Sequence, residues 1–155
     1  MAEWSANAVQ TVNPGETIVF TENPVPCTRG LIQHRDDTGT FLLKGFVPRQ
    51  FGCPCRRQRF ANYLVDFGAN IAVPTGGTVE AISLAITIDG STLPASTMTV
   101  TPAAVEQFFN VSRAINANIF AGCCESVAVR NTSAQAILVQ NANIIFSRPD
   151  LNVTR

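Results

Sequence analysis

An all-β fold, an antiparallel β-sandwich of the jelly-roll kind with about nine strands, is what this sequence predicts. Three observations carry it. Side-chain character alternates with period two along most of the chain, and turn-forming residues recur every eight to fifteen positions. No stretch combines a cap with helical periodicity. Short strands with no helices between them pack as a sandwich or jelly roll, not around a parallel sheet.

The elements follow in order. "ETIVF" (16–20) reads as a strand after the "NPG" turn. "LIQHR" (31–35) and "TFLLKGF" (40–46), joined by "DDTG", read as a hairpin. "RFANYLVDFGANIAV" (59–73) reads as one long strand with Phe60, Tyr63, Val65 and Phe67 among its large residues, closed by "PTGG". "VEAISLAITIDG" (79–90) sets Val79, Ala81 and Ser83 against Ile82, Leu84, Ile86 and Ile88, and "DGS" turns it into "STLPASTMTVTP" (91–102). "VEQFFNVSRAINANIF" (105–120) fits either period through Val111, Ile115 and Ile119, and its β-branched residues favour a strand. "SVAVRN" (126–131) and "AILVQNANIIFSR" (136–148) read as a last hairpin. The jelly-roll domain is thus expected over 15–148, with tails at 1–14 and 149–155. Trp4, the only tryptophan, falls in the first tail, where so large a ring is expected to pack on the body or on a neighbouring subunit.

Composition narrows the function. The 155 residues form one domain with enough chain to bury a core. Eleven basic and eleven acidic residues cancel, so the broad field used by nucleic-acid or membrane-surface binders is missing, and neither partner is expected. Charged residues are 14%, against about a quarter in ordinary domains, which implies surface covered by other subunits. No apolar run suffices for a transmembrane helix, and "MAEWSANAVQTV" lacks the charged and apolar regions of a secretory leader. The chain is therefore expected to be made in a cytoplasm and to stay there, or to leave by lysis or within a particle.

Cysteines and arginines supply the unusual stretches. Cys27, Cys53, Cys55, Cys123 and Cys124 all fall in expected loops. "CPC" leaves one residue between its thiols and "CC" none. Neither suits a zinc knuckle or a Cys-x-x-Cys redox pair, so no metal and no cofactor is expected. Disulfides within or between chains, or free thiols in partly buried loops, remain the readings, and the odd count leaves one thiol free or paired across subunits. Arg49, Arg56, Arg57 and Arg59 lie in a stretch with no Asp or Glu between residues 38 and 65. This local positive patch, flanked by Phe51 and Phe60, suits an acidic surface or a neighbouring subunit, or is a solvated loop whose stems cover apolar neighbours.

A catalytic centre is not expected. His34 is the only histidine and adjoins Arg35, Asp36 and Asp37, a polar turn as readily as a site. Asp66 interrupts an apolar strand and is expected to pair with Arg113 or Arg130.

Several of these strands, taken together, resemble a known family. "GLIQHRDDTGTFLLKG", "NYLVDFGANIAVPTGG", "ISLAITIDGSTLP" and "SVAVRNTSAQAILVQNANIIFSR" resemble the jelly-roll heads of the tumour necrosis factor and complement globular-head superfamily. They resemble most its bacterial branch, the heads of collagen-like exosporium glycoproteins and of phage head-fibre or decoration proteins. The resemblance covers about residues 14 to 148, and no Gly-X-Y stalk precedes it. It implies a non-enzymatic structural protein, a homotrimer on a particle surface. A phage capsid lattice or head fibre is the first expectation, on a virion assembled in the bacterial cytoplasm. A disulfide-linked spore-surface or appendage subunit, or a lectin-like head binding a host-surface glycan, is the alternative. Residues expected at subunit or lattice contacts are Trp4, Arg49, Phe51, Arg56, Arg57, Arg59, Tyr63, Phe108, Phe109 and Phe146.

Overall fold

The computed structural model describes residues 1–35, 38–47 and 59–151. Among the described residues twelve strands run in chain order: β1 (Ala2–Ala6), β2 (Gln10–Val12), β3 (Glu22–Val25), β4 (Ile32–His34), β5 (Phe41–Lys44) and β6 (Phe60–Ala72). The rest are β7 (Ile82–Ile88), β8 (Ser91–Thr92), β9 (Met98–Val100), β10 (Phe109–Phe120), β11 (Cys124–Asn131) and β12 (Ile137–Ser147). They form two antiparallel sheets. Sheet A has the order β10-β6-β12-β1-β3, with β2 continuing beside β12, and sheet B has β4-β5-β11-β7-β8, with β9 also on β7. This is the expected jelly-roll sandwich.

Alternation explains the packing. In β6, Ala61, Tyr63, Val65, Phe67, Ala69 and Ile71 point inward and are buried, while the residues between them lie outward. Sheet B answers with Phe41, Leu43, Ile82, Leu84, Ile86, Val127 and Val129. The ambiguous stretch near residue 110 is a strand, since β10 pairs with β6 over all twelve positions.

Five expectations are corrected. The segment 1–14 is not a tail. It carries β1 and β2, both paired to β12, and Trp4 is a core residue, 4% exposed. With β3, which pairs β1, these raise the strand count above nine. "ETIVF" makes only a single bridge, Thr17 to Arg130, with Ile18 N–H donating to the Val129 carbonyl and Asn131 N–H to the Glu16 carbonyl, each at 2.9 Å. At Val19 the Gln10 side-chain amide takes over, its Nε2 donating to the Val19 carbonyl and its Oε1 accepting from Val19 N–H, each at 2.9 Å. Ile18 and Phe20 still reach the core. Residues 91–102 divide into β8 and β9 around a 3-10 turn at Pro94–Ser96, since proline cannot continue the ladder.

Lastly, β11 and β12 are not a hairpin. They lie in opposite sheets, and the chain between them crosses the sandwich. Asn131 fixes that crossing: its buried Nδ2 donates to the Val12 and Gln135 carbonyls at 2.9 Å, and its Oδ1 accepts from Ser133 N–H at 2.8 Å. At the other terminus, Pro149–Leu151 turn once as a 3-10 helix against β6.

Trp4→Ala removes a large ring from the centre of the sandwich. Chemical denaturation is expected to show a loss of about 3–5 kcal/mol, whereas a loss under about 1 kcal/mol would return residues 1–6 to the status of a tail.

Candidate functional site

Three places combine unusual chemistry with definite geometry: a buried polar clamp, the outward face of sheet A, and the turn at one end of the sandwich. The clamp joins the end of β12 to both sheets. Arg148, 4% exposed, donates through Nε and Nη2 to both carboxylate oxygens of Asp150 at 2.8 Å, and through Nη2 to the Phe46 carbonyl at 2.9 Å. Its guanidinium lies 4.7 Å from the Tyr63 ring centre. Tyr63 Oη donates to the Lys44 carbonyl at 2.6 Å, with the Leu31 carbonyl 3.2 Å away.

Burial raises the Tyr63 phenol above its ordinary value of 10.0, with the Arg148 guanidinium offsetting part of the rise. Burial acts to lower the Arg148 pKa, but Asp150 and Tyr63 outweigh it, and the net shift is upward. A bidentate, fully bonded guanidinium is a structural tie. Sequence reasoning ended the domain at 148 and so missed it, although "SRPD" places Arg and Asp either side of a proline that stops the strand.

The outward face of sheet A follows from the registers. Across β10, β6, β12 and β1 it runs Asn116–Leu64–Ser147, then Ala114–Asp66–Ile145–Glu3, then Ser112–Gly68–Asn143 beside Ser5. Asn110, Asn70 and Gln140 extend it at one end, with Asn110 Nδ2 donating to Asn70 Oδ1 at 3.1 Å. Asn118 and Asn62, then Phe120 and Phe60, extend it at the other, the last two with ring centres 4.5 Å apart. Across these four strands Asp66 and Glu3 are the charged residues, and Asn143 Nδ2 donates to Glu3. The Ser5 row continues onto β3 at Glu22, whose carboxylate accepts from Ser5 Oγ at 3.4 Å. β10 forms the sheet edge with one charged residue, Arg113, whose Nε donates to the Ala95 carbonyl at 3.0 Å. Long edge strands left in water usually carry lysines, prolines or bulges.

Asp66 therefore does not meet its expected partners. It lies outward on sheet A, while Arg130 donates through Nη1 to the Gly90 carbonyl. The expected contact residues separate into three groups. Trp4, Tyr63 and Phe146 are core residues and are corrected: inward positions on β1, β6 and β12 leave them nothing to offer a neighbour. Arg59 and Phe108 are exposed and Phe109 is half-buried. Arg49, Phe51, Arg56 and Arg57 lie outside the described residues, as do Cys53 and Cys55. His34 is occupied by packing: it stacks on Phe41 at 4.7 Å, and its Nε2 lies 3.0 Å from the Thr38 carbonyl, to which it donates.

Of the described cysteines, Cys27 is half-buried and Cys123 and Cys124 are exposed, all three as free thiols. Cys27 borders a cleft of about 480 Å³ between β3 and β4, lined also by Trp4, Phe20, Glu22 and His34. Cys123 and Cys124 end the β10–β11 turn beside Lys44 and Phe46, in a groove of about 500 Å³. Among the described residues, no three His, Cys, Asp or Glu side chains are grouped to hold a metal ion.

No family model matches the chain, and no curated protein matches its sequence. Solved structures do match. The globular domain of zebrafish complement 1qA protein is similar with a TM-score of 0.58 and 11% identity, covering 93% of this chain and 94% of that one. Eiger TNF from S. frugiperda is similar with a TM-score of 0.65 and 12% identity, covering 95% and 90%. At such identities the likeness is one of fold: this chain has the jelly-roll architecture of complement and tumour necrosis factor heads.

Tyr63 is the chain's only tyrosine, so its ionisation can be followed by ultraviolet absorbance. The folded phenol is expected to titrate above 10.0. Its contribution to stability is whole below the unfolded pKa and is lost as pH rises toward the folded one. Tyr63→Phe should abolish that alkaline loss while costing about 1 kcal/mol at neutral pH for the missing bond to Lys44. A phenol that ionises at or below its ordinary value would contradict the clamp.

Proposed function

We propose that this chain is a non-enzymatic structural head that works as a homotrimer on a particle surface, as a phage capsid decoration or head-fibre protein. The observation that carries the self-association is the outward face of sheet A together with the β10 edge. Across β10, β6, β12 and β1 that face is built of amides, small residues, Leu64, Ile145 and the Phe60–Phe120 pair, with Asp66 and Glu3 its charges and no basic residue. Interface cores are depleted of Lys, Glu and Asp, whereas a solvated sheet face alternates apolar-in with charged-out. Phe60 and Phe120, 36% and 57% exposed, add an aromatic anchor at one margin. A closed three-fold ring gives each copy the same environment and leaves no face unmatched.

Placement on a virion rests on the resemblance of the strand motifs to phage head-fibre and decoration proteins. In that setting three copies present identical loops, and weak contacts to a repeating lattice add by avidity. Arg59 and the arginines at 49, 56 and 57 would supply the lattice-facing charge. The exposed thiols of Cys123 and Cys124 favour a second reading, a cross-linked spore-surface or appendage subunit. The glycan-binding alternative needs an open aromatic platform, and neither Trp4 nor Tyr63 supplies one, both being buried.

Native mass spectrometry under reductant is expected to give three times the 16.6 kDa chain mass. Leu64→Glu puts a second carboxylate beside Asp66 on the face and should yield folded monomers by circular dichroism. Val79→Glu, at an exposed apolar position off that face, should leave the trimer whole. A monomeric wild type, or a Leu64→Glu protein that stays trimeric, would refute the reading.

A further inference from the structure

We infer that the Ala121–Cys124 turn is a covalent cross-linking site between copies of this chain, its two thiols forming disulfides to two different neighbours. The inference rests on the self-associating reading only in needing copies to meet. Presentation is the first argument. The turn is tied down: Gly45 N–H donates to the Cys123 carbonyl at 2.7 Å, Gly122 N–H to the Gly45 carbonyl at 2.9 Å, and Cys123 N–H to the Phe120 carbonyl at 3.0 Å. Gly45 itself is enforced, since a Cβ there would lie 1.8 Å from the Phe120 carbonyl oxygen. Gly122, at φ +82°, makes the reversal. Both thiols stand exposed on a fixed turn at the end of the sandwich, and neither is bonded to the other.

Selectivity is the second. Among the described thiols the third, Cys27, is half-buried at the cleft between β3 and β4, out of easy reach of another chain's thiol. The Ala121–Cys124 turn itself carries no charge, and the Lys44 and Glu125 that adjoin it are of opposite sign. The groove beside it, lined by Leu42, Phe46, Val47 and Ala121, offers apolar surface to a second copy's turn and its exposed Phe120.

Valency is the third argument. One reachable thiol per copy can only make pairs, whereas two adjacent thiols let each copy join two neighbours and the links propagate. The chemistry is thiol–disulfide exchange with a low-molecular-weight disulfide of the glutathione type. A protein thiolate attacks one sulfur of that disulfide, breaking its S–S bond and releasing one small thiol. A second copy's thiolate then attacks the protein sulfur of the mixed disulfide and releases the other small thiol. Two protein thiols are oxidised, one small disulfide is reduced to two thiols, and the protons pass to the departing thiolates.

The test uses the full chain, reduced and then exposed to oxidised glutathione. Denaturing gels without reductant should show a ladder beyond dimers, with cross-links mapped by mass spectrometry to Cys123 and Cys124. In a Cys53→Ser/Cys55→Ser background, which leaves the three described thiols, Cys123→Ser or Cys124→Ser alone should stop the ladder at pairs, Cys123→Ser/Cys124→Ser should remove it, and Cys27→Ser should leave it intact. A ladder that survives the double substitution, or a wild type that accumulates only glutathione adducts, overturns the inference. Native mass under reductant, taken in parallel, separates the two readings. A trimer without cross-links refutes this inference alone, and a cross-linking monomer refutes the trimer alone.

Discussion

The two sheets of this sandwich are fixed to each other by one aromatic cluster. Trp4 of β1 and Phe146 of β12 come from sheet A, and Phe41 of β5 and His34 of β4 from sheet B. Phe41 lies at the centre, with ring centroids 5.0 Å from Trp4, 4.9 Å from Phe146, 5.3 Å from Phe20 and 4.7 Å from His34. Edge-to-face and offset pairs of this kind each contribute about 0.5–1.5 kcal/mol beyond the area they bury. The cluster also selects topology. It requires the first residues of the chain to lie in sheet A against the last strand, which makes β1 indispensable and brings both ends of the chain to one sheet. The Arg148–Asp150–Tyr63 clamp then extends the same closure to the end of β12, where the sandwich would otherwise open.

Closing the core from within has a consequence for the outside. Trp4, Phe20, Phe41, Tyr63, Phe67 and Phe146 are spent between the sheets, and the outward face of sheet A carries chiefly amides and small side chains, with the Phe60–Phe120 pair at one margin. An amide-rich β face with few charges and no basic residue suits a matching face, because Asn and Gln can both donate and accept. The arginines lie elsewhere: Arg130 reaches Gly90, Arg113 reaches Ala95, and Arg148 is buried. Charge is thus directed to the loops and ends, where a lattice or another particle component can be met.

Much of the fold was legible because period-two alternation is a local property. β6, β7, β11 and β12 could be read directly from their alternating residues. What could not be read was non-local. Trp4 is one aromatic residue among small and polar neighbours, and nothing within "AEWSA" reveals that Phe41 and Phe146 receive it. Residues 16–20 alternate as a strand should, yet they pair with β11 only around Thr17, and at Val19 the Gln10 side chain stands in for a partner. The β11–β12 connection looks like a hairpin because "TSAQ" is a good turn, and the crossing is set by Asn131 bonding to Val12, far away in sequence. The candidate face was hidden for the same reason. Its composition shows only when registers align β10, β6, β12 and β1, while Trp4, Tyr63 and Phe146, large residues expected at contacts, belong to the core.

Hydroxyl-radical footprinting of the native, reduced protein tests most directly whether the outward face of sheet A is covered. In the single subunit Phe60, Leu64 and Phe120 are exposed by 36%, 37% and 57%, beside 47% for Val79 off the face. Protection of Phe60, Leu64 and Phe120 relative to that exposure, with Val79 labelled freely and the protection lost on dilution to monomers, is the result this account predicts. Labelling of all four in proportion to their exposure at every concentration would contradict it.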